Sequence, residues 1–137
     1  MLPIPGYPAM LEHIGDHLLK RRMDLQLNQR TAARRLGTNA WSLRNWETNR
    51  RAVKIRFYPA IIKFLGYNPL PNGKSLGERV RRERLTRGWS RAFLAKLAHV
   101  DEATIARIEN DAPRLANRTM ERVVRALCLE RLCEGEL

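Results

Sequence analysis

A repeat constrains this chain more than any other feature. Displacing the sequence by 62 residues, with no gap, lays Gly15 on Gly77, Arg22 on Arg84, Ala33 on Ala95, Glu47 on Glu109, Arg56 on Arg118 and Leu65 on Leu127. Apolar positions coincide between these identities: Leu18 with Val80, Leu27 with Trp89, Leu43 with Ile105, Trp46 with Ile108, Val53 with Leu115, Ile61 with Val123 and Ile62 with Val124. One unit occurs twice, and a period this long, holding several helical patterns per copy, predicts two small domains in tandem instead of a stack of single-helix repeats. Units of about 60 residues stand near the lower limit for a self-supporting core. The two are therefore expected to pack against each other.

Within each copy the apolar spacing and the capping residues predict four amphipathic helices. The first runs from about Ile14 to Gln26 and from Leu76 to Gly88, the second copy opening with a Ser-x-x-Glu capping box at Ser75 and Glu78. Asn28 can cap a helix from Gln29 to Leu36, and Asn39 another from Ala40 to about Thr48; Ser90 and Asp101 stand where they would do the same in copy two. Two capped helices so close together form a helix-turn-helix unit. A basic loop, Asn49 to Arg56, precedes a helix around Tyr58 to Leu65, with Pro59 tolerable in its first turn. The breakers from Gly66 to Gly73 make a packed, fairly stiff connection, and a last helix runs from about Thr119 to Arg131, with Val123, Val124, Leu127 and Leu132 on one side. The expected division is an arm at 1–11, a first domain at 12–68, a linker at 69–74 and a second domain at 75–137.

The net charge of +12 on 137 residues implies a polyanionic partner, nucleic acid ahead of an anionic membrane surface. It is unevenly divided, with a net +8 over residues 11–71 and +4 over residues 72–137. The first copy is the better polyanion binder. Cys128 and Cys133 have no ligand-rich neighbourhood and read as thiols in a reducing cytoplasm, not as zinc ligands. The apolar, proline-rich opening from Met1 to Met10 lacks the basic flank of a signal peptide and the length of a membrane span. It reads as an arm that is loose or docks on the first domain.

The run from Asn28 to Glu47 resembles the DNA-binding unit of the Cro/XRE-like phage repressor family, and the run from Ser90 to Glu109 resembles it independently. The resemblance covers roughly residues 12–66 and 74–129, and rests on spacing, caps, core positions and an ion pair. It implies an all-α fold of two tandem lambda-repressor-like helix-turn-helix domains, each of four to five short helices. Ala33 and Ala95 fall where the two helices cross and a small side chain lets the backbones approach. Leu43 with Trp46, and Ile105 with Ile108, sit three apart and face the core. Arg22 with Glu47, and Arg84 with Glu109, match a family pair that ties the first helix to the end of the recognition helix.

By the same resemblance the helix from Ala40 lies in the major groove with its N-terminal part against base edges. Ala40, Trp41, Arg44, Asn45 and Thr48 remain for its outer face, with Asn39 and Ser42 at its start. Gln29 matches a position that touches phosphate and base. Its amide suits adenine, as does that of Asn45, and Arg44 suits guanine; each of the three is otherwise a solvated side chain. Trp41 either meets thymine methyls and sugar or packs on the protein. Arg50, Arg51, Lys54 and Arg56 follow where the family's loop meets phosphates. Copy two departs at its helix start, Asp101-Glu102-Ala103, which is acidic where phosphates would lie, while Arg91, Arg107 and Arg114 keep DNA contact open to it.

No catalytic constellation stands out. His13 and His17 are four apart, but Glu12 precedes His13, so the zinc-protease arrangement is absent and a capping or surface role is expected. Neither cofactor nor metal is called for. The expectation is a sequence-specific regulator of transcription that binds double-stranded DNA, cytoplasmic, from a bacterium or a mobile element. Copy one would read DNA, and copy two would supply a second DNA contact, a homodimer contact or a contact to another protein such as RNA polymerase. The competing expectation is a protein-interaction module, antitoxin-like or anti-activator, with weak DNA binding; non-specific RNA binding lacks stacking aromatics beyond Trp41.

Overall fold

The computed structural model describes residues 6–135, with side-chain surroundings to residue 128. Met1–Pro5 of the expected arm, and the side chains of Leu132 and Cys133, lie outside that range. Every regular element among the described residues is helical: α1 (Ile14–Asp24), α2 (Gln29–Leu36), α3 (Ala40–Glu47), a 3-10 turn (Ile55–Phe57), α4 (Tyr58–Leu65), α5 (Leu76–Thr86), α6 (Arg91–Ala98), α7 (Glu102–Glu109) and α8 (Asn117–Gly135). The chain divides into two compact units, Met1–Pro69 and Leu70–Leu137. No described helix is long and apolar enough to cross a membrane.

Each unit closes around its own core. In the first, Leu18, Ala32, Ala33, Leu36, Leu43, Trp46, Ile61 and Leu65 are buried together. In the second, Val80, Leu94, Ala95, Ala98, Ile105, Ile108, Val123 and Leu127 occupy the positions 62 residues on. Ala33 and Ala95 are buried where the second and third helices of their units meet, as a small side chain at a close crossing requires.

Local chemistry sets the helix ends. The side chains of Asn28, Asn39 and Ser90 accept from the backbone N–H of Thr31, Ser42 and Phe93, and Ser75 with Glu78 forms its capping box. Asp101 departs from the expectation: it holds the N-cap position in extended backbone without a side-chain capping bond. The N–H of Thr104, which that carboxylate would satisfy, is 3.0 Å from the backbone oxygen of Asp101 itself. The first helices stop two residues short of the predicted ends because Gln26 and Gly88 turn left-handed, with φ of 56° and 72°, so that the N–H of Leu27 and of Trp89 reaches back to Arg22 and Arg84. The basic loop ends in the 3-10 turn, which runs one residue past it, and α8 extends beyond the predicted span at both ends.

α1 begins with a cap that the Ser-x-x-Glu pattern does not reveal. Asp16 accepts from the backbone N–H of His13 at 2.9 Å and of Glu12 at 3.1 Å, and from the Asn49 amide at 3.2 Å. Burial works against ionisation of Asp16, but these donors outweigh it and hold the carboxyl below its ordinary pKa. Of the expected arm, Tyr7 docks on the first unit: its hydroxyl donates to Asp24 at 3.0 Å. His17 is half-buried with Nδ1 2.6 Å from the Tyr67 hydroxyl, which folds the start of the predicted connection back onto α1.

The repeated glycines mark where the first helix crosses the third. A Cβ on Gly15 would collide with the carbonyl of Trp46, and one on Gly77 with the carbonyl of Ile108. Backbone cannot yield as a flexible side chain can. Gly77→Ala is expected to destabilise the second unit by about 1–3 kcal/mol, the usual cost of overpacking. A urea melt that matches the parent's would show that α5 can shift without penalty.

Candidate nucleic-acid interface

One carboxylate anchors the third helix of each unit. Arg22 donates from Nε and Nη2 to Oε2 and Oε1 of Glu47 at 2.6 and 3.0 Å, and from Nη1 to the Leu27 carbonyl at 3.0 Å. Arg84 repeats the pattern on Glu109 at 2.7 and 3.0 Å and on the Trp89 carbonyl at 2.9 Å. The paired fork fixes the angle between the first and third helices as well as their distance.

This anchor draws in a residue from α2 and one from α6. The Gln29 amide donates to Oε1 of Glu47 at 3.1 Å; a carboxylate only accepts, so the amide nitrogen must face it, which leaves the amide one further N–H and its oxygen for a partner. Arg91, the equivalent of Gln29, donates from Nε to Oε1 of Glu109 at 3.3 Å. Asn45 is half-buried, and its amide donates to the Trp41 carbonyl at 3.0 Å, one turn back along α3. Asn39 is exposed but spends its side-chain oxygen on the cap, and Ser42, half-buried, supplies the capped N–H.

The remaining candidates stand out from the surface. Trp41 is 61% exposed. Arg44, Arg50, Arg51 and Lys54 are exposed, and none forms an ion pair with a described residue. Arg107 is likewise exposed on α7. An open groove runs from the start of α3 to the basic loop, bringing together Asn39, Trp41, Ser42, Arg51 and Lys54 with Thr38, Ala52 and Phe57. The last three carry no motif. Only the return of the loop past the helix start places them there.

The two units differ along this surface. Position for position, Arg44, Arg50, Arg51 and Lys54 become Ala106, Ala112, Pro113 and Ala116, and Asn39 and Ala40 become Asp101 and Glu102. The second unit instead exposes Phe93 and Leu97 on α6, where the first has Thr31 and Arg35. No group of His, Cys, Asp and Glu able to hold a metal ion occurs among the described residues.

Helices of which the second and third cross at an alanine, with the third tied to the first by an ion pair, form an all-α helix-turn-helix fold. Residues 75–133 match the family model described as a helix-turn-helix domain. The match falls within the second unit. No curated protein and no solved structure matches the chain.

Proposed function

We propose that this protein is a sequence-specific, double-stranded DNA-binding regulator of transcription, a tandem relative of the Cro/XRE-like repressors that acts in the cytoplasm of a bacterium or for a mobile element. The first unit reads the major groove through α3. The observation that carries this is the set of exposed cations with no ion pair among the described residues, Arg44, Arg50, Arg51 and Lys54, around the exposed Trp41, against the neutral residues at the same places in the second unit. Such cations replace the counterions condensed on phosphate, and the face they surround meets base edges. The second unit supplies a further DNA contact through Arg107, pairs two copies of the chain, or meets another protein such as RNA polymerase.

One observation favours a protein-interaction module of the antitoxin or anti-activator kind as the second reading. Phe93 and Leu97 expose apolar surface on α6, and the start of α7 is acidic, features suited to a protein partner better than to phosphate. Selection of bound sequences from random duplex DNA separates the two. A regulator yields a defined motif, and Arg44→Ala then loses about 1–3 kcal/mol on it and relaxes the choice at one base pair. An interaction module yields no motif.

A further inference from the structure

Arg51 lies with its guanidinium carbon 4.8 Å from the centre of the Trp41 ring. Trp41 is the most exposed tryptophan of the chain and belongs to the first turn of α3; Arg51 belongs to the loop that follows the helix. The loop is held for this meeting, since the N–H groups of Arg50 and Arg51 both reach the Asn45 carbonyl, at 2.9 and 3.3 Å. The Asn45 amide in turn holds the carbonyl of Trp41. Four residues thus form one closed arrangement at the groove-facing start of the helix.

We infer that Arg51 reads a guanine in the major groove and that Trp41 is the positioning residue that holds its guanidinium for that contact. This rests on the reading of the first unit as the DNA-binding one. A guanidinium held over an aromatic face leaves its coplanar N–H donors unused by any acceptor there, and their fork matches the O6 and N7 acceptors of guanine. The stack confines a side chain that would otherwise lose rotamer freedom on binding. A phosphate contact needs no such confinement, because a phosphate accepts a cation from many directions. Nor is Arg51 held by any other side chain: it has no ion pair among the described residues. The repeat supports the coupling, for where the first unit has Trp41 and Arg51 the second has Ala103 and Pro113, so both members are lost together.

The test uses the full chain, the tightest duplex recovered from a random pool and its single-base-pair substitutions, at one fixed salt concentration. Arg51→Ala is expected to weaken the preferred duplex roughly 10- to 100-fold and to flatten discrimination at one G·C pair. Trp41→Leu should flatten the same pair, Trp41→Phe should retain most of the discrimination, and Trp41→Leu with Arg51→Ala should be no worse than Arg51→Ala alone. Melting of each variant near the parent value confirms that the fold is kept, as the exposure of both side chains requires. If Arg51→Ala weakens every duplex equally and makes the salt dependence shallower by about 0.9 in log-log slope, Arg51 is a phosphate contact and the inference falls, while the first unit remains the reader. If Trp41→Leu leaves discrimination intact while Arg51→Ala removes it, the positioning role falls. If the parent chain selects no motif, the functional reading fails and this inference with it.

Discussion

Glu109→Ala is expected to cost the second unit about 3–5 kcal/mol, enough to unfold a domain of this size under ordinary conditions. Arg84 is 4% exposed and Glu109 1%. Removal of the carboxylate leaves a buried guanidinium with only the Trp89 carbonyl to accept from it. The same change at Glu47 should cost less, since the Arg22 side chain is 17% exposed and water can partly replace the lost partner. The loss measures an abandoned charge, not the worth of the pair. Replacing both Arg84 and Glu109 by apolar residues of similar volume should therefore recover much of it. Thermal and urea melts of the single and double variants check this order. Equal, unchanged melting of Glu47→Ala and Glu109→Ala would mean that the forks contribute nothing to stability.

Duplex affinity should fall steeply with salt. The log-log slope is about −0.9 for each phosphate contacted, so even six contacts imply a loss of roughly a thousandfold between about 50 and 200 mM. Arg50 and Lys54 are exposed in the loop after α3, and changing both to alanine should make the slope shallower by about 0.9 for each contact removed. That loss should be uniform across sequences, unlike the loss at one base pair expected for Arg44→Ala. Titrations of a labelled duplex at several salt concentrations provide the slopes. A parent slope near zero would remove the basis for treating the cations of the first unit as a phosphate-binding surface.

These expectations draw on different levels of structure. The sequence by itself determined the repeat, the all-helical class, the core register and most helix starts. Each is written locally: helical spacing places Leu18, Leu43 and Ile61 on inward faces, and Asn28, Asn39, Ser75 and Ser90 can reach only N–H groups two or three residues on. The ion pairs were legible for a different reason, because they match a pair of the family that the sequence resembles and both members recur at the same offset in the two copies. Tertiary structure decided which polar groups remain available for a partner. Gln29 and Arg91 look like free contacts in sequence, yet each is drawn to a carboxylate 18 residues further on. Asn45 turns back onto its own helix, Asp101 leaves its capping role to its own carbonyl, and Asp16 takes a capping role beside a histidine that no serine-based pattern marks. The approach of Arg51 to Trp41 depends on how the loop re-enters past α3. Periodicity tells which way a side chain points, but a hydrogen bond or a stacked cation also requires the place of the partner, and that place is set only when the helices pack.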